Sequence, residues 1–566
     1  MSDPNTPESH LHALFREEWE SHLKADPFFA SVIGDRRYND RLPEATEEAF
    51  ARQADDLRRF LGRLEKIERA ALSEADRLNY DIFRRLKTDA LRELEFPVYR
   101  MPLDRLESYH TFFADLTSLV SFDEVEDYEA YLSRLAGFST YSDGKIEMMR
   151  EGLRSGWTQP RRALEGMEKS MDSFLVDDPR KSVFQAPLED FPESVNGAAR
   201  SRLQEEVMRV VGESVIPAYR RLLTFFEEEY LPGCRTDIGA SGLPDGRQFY
   251  EHRVRMNVSF DTSPEEVHAI GLKEVDRIRE EMEALRKQVD FPGDHAAFGD
   301  FLRTDPRFYA ESPDQLMKEV AFVLKRMDGE LPGLFGRLPR LPYGIKPIPD
   351  YQAPHTTTAY YRGGSGDGTR AGCYYVNTYD LKSRPLYEIE ALSLHEAVPG
   401  HHLQIALQQE LSDLPEFRRF EGFTAFVEGW GLYAERLGLE VGFYTDPYSD
   451  YGRLTYEMWR ACRLVVDTGM HAFGWTRQQA VDFMVEHTAL TELNVRNEVD
   501  RYITWPGQAL AYKMGELKIR ELRARAEKAL GGDFDVRAFH DVVLRDGAVP
   551  LDVLEGKIET WLEAGR

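Results

Sequence analysis

The sequence predicts a mostly α-helical protein with one small β-sheet. Apolar residues recur every three or four positions among charged ones, as at Phe50, Leu57 and Leu61, which is the spacing of one helix face. Two stretches rich in Gly and Pro, 231–247 and 329–372, interrupt this pattern. Short segments rich in aromatic and β-branched residues border them, as strands do. We therefore expect a large helical body with a small sheet ahead of its C-terminal half.

Helical periodicity recurs along the N-terminal half and resumes after the first Gly/Pro stretch. The segments with this spacing are about 8–25, 45–71, 73–93, 125–155, 195–229 and 263–289. Ser263 and Glu266 form a capping box at the last of them, with Pro264 at the first helical position. Strands are expected at 247–260, 357–362 and 373–379, and helices again from about 387.

The pattern favours one body over 1–566 without repeats or flexible linkers. Within it we distinguish an N-terminal helical half, about 1–230, from a second half, 231–566. The second half carries the small sheet, at 247–260 and 357–379, and the chemistry described below.

The charge and cysteine content exclude several classes of protein. Asp and Glu number 99 against 72 Lys and Arg, a net charge of −27, which argues against nucleic acid or anionic membranes as partners. No apolar run approaches the roughly 18 residues of a membrane span. No secretory signal is visible, and the three cysteines have no CxxC spacing. We expect a cytoplasmic protein whose oligomeric state the sequence does not indicate.

A histidine cluster interrupts one predicted helix. HEAVPGHH, residues 395–402, holds three of the 14 histidines. In the usual zinc-peptidase pattern HExxH, two His one turn apart bind the metal and the Glu is the base. Here Pro399 occupies the position of the second His. Histidines that cap or pack around a helix kink are the structural alternative.

Two histidines compete for the second ligand position. His401, six residues after His395, would lie about 120° around an unbroken helix and about 9 Å along it, too far to share a metal. Pro399 and Gly400 are the residues best able to break the helix. A bulge that absorbs two residues would bring His401 beside His395. His402 shares the face of a straight helix but lies about 10.5 Å away, so we favour His401.

The third ligand is expected from the following apolar helix. FEGFTAFVEGWGLYAERLGLE places Glu428 and Glu435 on one face, seven residues apart. A carboxylate among aromatic residues needs a partner or must be neutral. We take Glu428 as the ligand, with Glu435 as the alternative or as a group that orients a histidine. The structural alternative is that Glu428 is a buried acid that caps a helix or forms a salt bridge and binds no metal.

These residues resemble a bacterial family called domain of unknown function 885. Its hallmarks HExxPGHHxQ and EGWxxYxE read here HEAVPGHHLQ, 395–404, and EGWGLYAE, 428–435. The resemblance spans nearly the whole chain. Its other segments are GDRRYNDRLP (34–43), TSPEEVHAIGLKEVDRI (262–278), YYVNTYD (374–380), RLVVDTGMH (463–471) and PGQALAYKMG (506–515).

The resemblance implies a fold and a chemistry. The family is zinc-peptidase-like and distantly similar to helical peptidases of the angiotensin-converting-enzyme and thimet-oligopeptidase type, whose elongated bodies contain a deep channel. Its members keep His at the position of His401 but often not at that of His402. It implies one zinc ion per chain, held by His395, His401 and Glu428, with Mn or Co able to fit the same ligands.

Peptide hydrolysis also requires a base, an oxyanion donor and substrate contacts. Glu396 is the expected base. Tyr502 and Tyr512 are the candidate donors; the resemblance to helical peptidases points to Arg501-Tyr502, whereas Tyr512 lies in the family motif. Structural packing is an equal alternative for each tyrosine.

Substrate contacts are expected from a strand and from basic residues. The segment CYYVNTY, with Tyr375 and Asn377, is predicted to be an edge strand that pairs with an extended peptide. The preceding Gly-rich segment 363–372 is either a flap or, more simply, a hairpin. Arg460, Arg463, Arg501 and Lys513 are candidate anchors for a substrate carboxylate, with internal salt bridges as the simpler alternative.

Three hypotheses for the function follow. The first is a zinc peptidase acting on short peptides as an exopeptidase or oligopeptidase. The second is a zinc amidase acting on a modified or non-peptide amide. The third is a helical binding protein with a degenerate site, which the intact Glu396 argues against because binding needs no base. His268, and the pair Asp467 and His471, are expected to be structural or, for the pair, to support the site.

Overall fold

The computed structural model describes residues 6–104, 108–349, 353, 357–364, 370–420 and 422–564. It is 72% helical with a small three-stranded sheet, which confirms the mostly α fold class. The chain divides into two compact units, Met1–Phe249 with Pro415–Phe420, and Tyr250–Leu414 with Glu421–Arg566. None of the described helices has the length and apolar content needed to cross a membrane.

The first unit is built from helices and short helical turns. Its longest helix buries Tyr131, Leu135 and Phe138 at helical spacing, against Tyr219 and its neighbours. The helices are α1 Pro7–Ala25, α2 Pro27–Val32, α3 Glu47–Leu64, α4 Glu74–Glu95, α5 Tyr109–Leu119, α6 Val125–Ser155, α7 Arg161–Leu164, α8 Glu168–Asp172, α9 Gly197–Val210, α10 Ile216–Phe225 and α11 Leu231–Gly233.

The strand predicted at 247–260 is wrong. Residues Gly246–Val258 form helix α12. Tyr250, Val254 and Val258 are buried and lie four residues apart, which is a helix face. The aromatic and β-branched residues of this segment suggested a strand, but the helical spacing of its apolar side chains determined how they could be buried.

The second unit combines the remaining helices with the sheet. In chain order the helices are α13 Pro264–Gln288, α14 His295–Thr304, α15 Pro313–Leu334, α16 Ile389–Glu396, α17 His401–Gln409, α18 Glu416–Phe420 (part of the first unit), α19 Thr424–Leu437, α20 Pro447–Ala472, α21 Arg477–His487, α22 Glu492–Thr504, α23 Ala511–Leu530, α24 Val536–Leu544 and α25 Leu551–Ala564. The predicted capping box at Ser263 and Glu266 is confirmed at the start of α13.

The sheet has the order β1-β3-β2, with β1 Tyr343–Pro347, β2 Ala359–Arg362 and β3 Gly372–Val376. β1 is parallel to β3 and β2 is antiparallel to it. The predicted strands at 357–362 and 373–379 are therefore present, with shorter bounds. β1 lies in the Gly/Pro stretch and was missed, because its sequence YGIKP has no strand-like pattern.

Candidate metal centre

The histidine cluster lies at a break between two helices. α16 ends at Glu396 and α17 begins at His401, with a cis peptide bond between Val398 and Pro399. The Gly400 N–H donates to the Leu394 carbonyl, and a Cβ on Gly400 would lie 1.9 Å from the His395 carbonyl oxygen. Only glycine therefore fits where the chain doubles back.

The break brings three ligand groups together, which we call the metal cluster: His395, His401 and Glu428. Glu428 Oε2 lies 3.5 Å from His395 Nε2 and 3.6 Å from His401 Nε2, and one donor atom from each residue lies within 4.8 Å of the others. Tetrahedral zinc with bonds of about 2.0–2.1 Å needs donors about 3.3 Å apart. The cluster fits a zinc ion after small movements of the side chains.

Two contacts orient the ligands. The Glu435 carboxylate lies 2.8 Å from His395 Nδ1, which leaves Nε2 directed toward the cluster. The Trp430 indole N–H donates to the Pro399 carbonyl at 2.9 Å, joining α19 to the helix break. Glu435 thus occupies the orienting position that the sequence left as an alternative. The role of Trp430 was missed, since its spacing indicated only a core aromatic.

The protonation of the metal cluster reflects its burial. Burial opposes the charged form of His395, but hydrogen bonds to Glu428 and Glu435 outweigh it and raise the pKa of His395 to about 9. Burial lowers the pKa of His401 to about 4. Against the effect of burial, the hydrogen bond from His395 and the nearby positive charges lower the pKa of Glu428 to about 2. Contacts of His395 with the two carboxylates thus hold these groups together, and a metal ion would compete with a proton for the same ligand atoms.

Glu396 is adjacent to the cluster and faces the sheet. Burial raises the pKa of its carboxyl to about 7, against the lowering effect of the His395 charge. The backbone N–H of Tyr361, in β2, hydrogen-bonds to the same carboxylate. This contact joins the candidate base to a strand, and the sequence offered no signal for it.

The two predicted tyrosines have different environments. Tyr512 lies in the first turn of α23, which crosses α19 closely enough that a Cβ on Gly515 would lie 2.0 Å from the Ala425 carbonyl oxygen. The crossing brings Tyr512 into electrostatic range of Glu428, whose charge adds to burial in raising the Tyr512 pKa. Tyr502 is 1% exposed, and its hydroxyl contacts other side chains of the protein.

Tyr502, Arg463 and Arg501 belong to one internal network. The Tyr502 hydroxyl donates to Glu498 at 2.7 Å and accepts from Arg463 Nε at 2.9 Å. Arg501 donates to Glu498 and Gln508. The prediction that Tyr502 is the oxyanion donor is therefore corrected in favour of a structural role, because its proton is already donated. The substrate contacts predicted for Arg463 and Arg501 give way to the simpler alternative of internal pairing with Glu498.

The predicted substrate contacts of Asn377 and Tyr375 are also corrected. Asn377 is wholly buried, and its amide donates to the carbonyls of Ala353 and Thr357. Its side chain therefore ties the end of β3 to the segment that precedes β2. β3 is the central strand, so it has no free edge. Tyr375 stacks on Tyr360 with ring centroids 4.9 Å apart, on the sheet face opposite Tyr374, which is in electrostatic range of Glu396.

Among the residues that the structure describes, β2 is the edge strand beside the candidate base. Asn377 N–H donates to the Thr358 carbonyl, and antiparallel pairing alternates. The N–H groups of Ala359 and Tyr361 therefore point away from β3, toward the open edge. The Gly-rich segment predicted to be a flap or hairpin falls largely on 365–369, outside the described residues.

Other predicted candidates have structural contacts. His402 Nδ1 lies 2.8 Å from the Tyr361 hydroxyl, away from the ligand set. His268 contacts Thr468. Asp467 accepts from the Tyr250 hydroxyl and the Gly507 N–H, and His471 contacts the Tyr502 carbonyl. These contacts hold α20 against α12, α13 and α22.

Lys513 forms a buried ion cluster instead of a substrate anchor. We call it the lysine cluster: Lys513, Glu274, Glu457 and Glu516. The ammonium lies 3.1, 2.7 and 2.8 Å from the three carboxylates in that order. Burial acts against the charge of Lys513, but the three carboxylates raise its pKa above the ordinary value.

Comparison with known proteins identifies the family. The family model described as a bacterial protein of unknown function, DUF885, matches residues 27–558. The chain belongs to this family. No curated protein matches the sequence. The DUF885 description assigns no activity, so membership establishes neither the metal nor the reaction.

Solved structures share the fold. A structure provisionally described as a lipoprotein from Colwellia psychrerythraea has 27% identity and a TM-score of 0.90, covering 99% of this chain and 100% of its own. A provisional lipoprotein of unknown function from Shewanella oneidensis has 16% identity and a TM-score of 0.76, covering 97% and 99%. A structure provisionally described as an oligoendopeptidase F from Bacillus anthracis str. Ames has 12% identity and covers 90% of this chain and 96% of its own. Its TM-score of 0.27 supports no inference. The cytoplasmic location of this DUF885 protein stays a prediction.

Proposed function

We propose that this DUF885 protein hydrolyses peptide bonds of short peptides with a bound zinc ion. The observation that carries the proposal is the metal cluster, two imidazoles and one carboxylate converging beside an unligated glutamate, Glu396. Three protein ligands with an open position are the set typical of catalytic zinc. A purely structural site needs no neighbouring base.

Zinc bound at this cluster would supply a Lewis acid that polarises the scissile carbonyl and acidifies water. Glu396 would accept the proton of the attacking water and deliver it to the leaving amine. Its backbone contact with Tyr361 keeps the carboxylate between the cluster and β2.

The edge of β2 is the proposed contact for the substrate backbone. An extended peptide can add to an exposed edge strand through main-chain hydrogen bonds. The outward N–H group of Ala359 is suited to this, while the N–H of Tyr361 binds Glu396 and so keeps the candidate base beside the same edge. Main-chain recognition favours short or unfolded peptides over folded proteins.

Tyr512 is the proposed donor to the oxyanion. It lies in electrostatic range of Glu428, and the centre of its ring lies 4.5 Å from the Arg463 guanidinium carbon. This cation holds the ring in place, while Tyr512 is less deeply buried than Tyr502. A Tyr512→Phe variant should lose kcat by about 10²-fold and keep its zinc.

The first test measures metal content and peptide cleavage together. Purified protein, with His401→Ala, Glu396→Gln and the off-site His12→Ala as variants, is analysed by mass spectrometry for metal and screened on a peptide library. We expect about one zinc per chain in wild type, Glu396→Gln and His12→Ala, and a large loss in His401→Ala. Cleavage should survive only in wild type and His12→Ala.

Three outcomes would contradict the proposal. Wild type that takes up no zinc on addition would make the cluster structural. Full turnover by Glu396→Gln would remove the assigned base. Zinc uptake with cleavage of non-peptide amides alone would replace the peptide substrate by the amide alternative.

A further inference from the structure

Arg460 is a deeply buried arginine with incomplete bonding. The residue is 7% exposed. Its Nη1 donates to the Tyr456 carbonyl, one turn earlier, at 3.3 Å. Among the described residues its Nε has no hydrogen-bond partner. Burying a cation with an unpaired donor costs free energy unless a further group binds it.

The Arg460 guanidinium lies beside the metal cluster. Its Nη2 is 3.9 Å from Glu435 Oε1, the atom that contacts His395. Its positive charge is within electrostatic range of Glu396 and of Glu428 and favours the charged form of each carboxylate. A group bound to Arg460 would therefore be close to the candidate base and to a metal ligand.

Aromatic rings shape the surroundings of this cation. The guanidinium carbon lies 4.8 Å from the centre of the Tyr456 ring and 5.0 Å from that of Trp459. Such rings support the guanidinium through cation–π contact. They offer no competing carboxylate for its N–H groups.

The other predicted anchors differ from Arg460. Lys513 has three carboxylates within 3.1 Å, and Arg501 is 2.8 Å from Glu498. Arg463 is 3.3 Å from Glu498 and donates to Tyr502 as well. Of these four cations, Arg460 has the longest contact to an internal carboxylate, and that carboxylate, Glu435, is the one that contacts His395.

We propose that Arg460 binds a substrate carboxylate close to the scissile bond, so that the site selects peptides with a free C-terminus. The proposal rests on the peptidase function proposed above and names the substrate class of that site. Guanidinium and carboxylate form charge-assisted hydrogen bonds with matching planar geometry. The C-terminal carboxylate of a short peptide fits an anchor near the bond, and an Asp or Glu side chain is the competing source of the same chemistry.

The test measures binding without turnover, in zinc-loaded Glu396→Gln protein, by calorimetry. The probes are one short peptide as the free acid, the same peptide with an amidated C-terminus, and an amidated form with one neutral residue changed to Glu. We expect the free acid to bind about 10- to 100-fold more tightly than the amide, the range of one charge-assisted bond in a buried site. The Glu-containing amide should bind like the plain amide.

Arginine variants in the same background assign the preference. Arg460→Gln should bind acid and amide equally, and Arg460→Lys should keep part of the preference. Arg496→Gln, on the surface of α22, is the matched control and should leave it unchanged. Zinc content is measured for every variant and should be one per chain.

Several outcomes would overturn the proposal. If Glu396→Gln protein with Arg460 intact binds the free acid and the amide equally, the proposal fails. It also fails if the preference for the acid persists in Arg460→Gln. Loss of zinc in both Arg460→Gln and Arg460→Lys would make Arg460 a structural counter-ion of Glu435. Equal binding of the free acid and the Glu-containing amide would assign the anchor to side chains.

The test of the Arg460 anchor can fail or succeed independently of the peptidase proposal. An acid preference that depends on Arg460 stands even if wild type cleaves none of the peptides, in which case only the catalytic assignment fails. Cleavage of amidated and free peptides at equal rates would leave the peptidase intact and remove the anchor.

Discussion

The metal cluster and the lysine cluster are both buried and charged, but their charges are compensated in different ways. In the lysine cluster one ammonium donates to two carboxylates and lies within 3.1 Å of a third. Arg277, Arg453 and Arg520 also contact those carboxylates. In the metal cluster, two imidazoles and one carboxylate converge, each with an atom that can bind a metal. Carboxylates compensated by several cations indicate a structural role, whereas converging metal-binding atoms indicate a place for a cation.

The lysine cluster should contribute the larger free energy to folding. Lys513→Met removes the central cation and leaves three buried carboxylates with less compensation, so we expect a loss of about 3–5 kcal/mol. Urea denaturation measures it, with Lys318→Met on the exposed face of α15 as control. A loss under about 1 kcal/mol would remove the distinction between the clusters.

Zinc should stabilise the protein through the metal cluster alone. At a thousandfold excess over Kd, one bound ion adds about 4 kcal/mol to the free energy of unfolding. We expect the same increment in wild type and Lys513→Met, because the clusters are independent, and a much smaller one in His401→Ala. Unequal increments in the first two proteins would show that the clusters are coupled.

Asp467 is a buried carboxylate that belongs to neither cluster. Burial raises its pKa to about 7, against the hydrogen bonds from Tyr250 and Gly507 and the charges of Arg501 and Arg253. Between about pH 4 and pH 7 the unfolded chain therefore loses this proton while the folded chain keeps it, and stability falls as pH rises.

Asp467→Asn should remove this pH dependence. The stability of the variant relative to wild type should rise by about 2–4 kcal/mol from pH 4 to pH 8. Urea denaturation with a chelator present measures it while the metal cluster is kept free of metal. A constant difference across this range would show that Asp467 ionises normally in the folded protein.

Glu435 should have the smallest of these effects. Glu435→Gln weakens the orientation of His395, so zinc affinity should fall by about 10- to 100-fold. Competition with a chromophoric chelator measures the affinity. The control is Glu440→Gln, a more exposed glutamate just after the end of α19. An unchanged affinity would mean that the contact at 2.8 Å serves packing alone.

Local sequence predicted much of the metal cluster. His395 and His401 flank Pro399 and Gly400, so the helix break and the pairing of the imidazoles depend on eight consecutive residues. Glu428 was predictable as a carboxylate on an apolar helix. The helix at Gly246–Val258 was not predicted, because residue preference there conflicted with the spacing of the buried side chains.

Candidate residues of the same type could be told apart only from the side chains that contact them in the structure. Tyr502 and Tyr512 are both late tyrosines near basic residues. The Tyr502 hydroxyl donates a hydrogen bond to Glu498, whereas the close crossing of α19 and α23 brings Tyr512 near Glu428. Arg460 and Arg463 are likewise three residues apart on α20. Their difference is the carboxylate that α22 brings to Arg463.

The sequence by itself determined the helical class, the break at Pro399 and Gly400, and the ligand types, since each depends on periodicity or on adjacent residues. The tertiary structure alone decided that β3 is a central strand, that β2 presents its free edge beside Glu396, and which cations are paired internally. Those features depend on packing between elements far apart in the chain. No local sequence pattern predicts which donor will contact which acceptor when distant elements pack together.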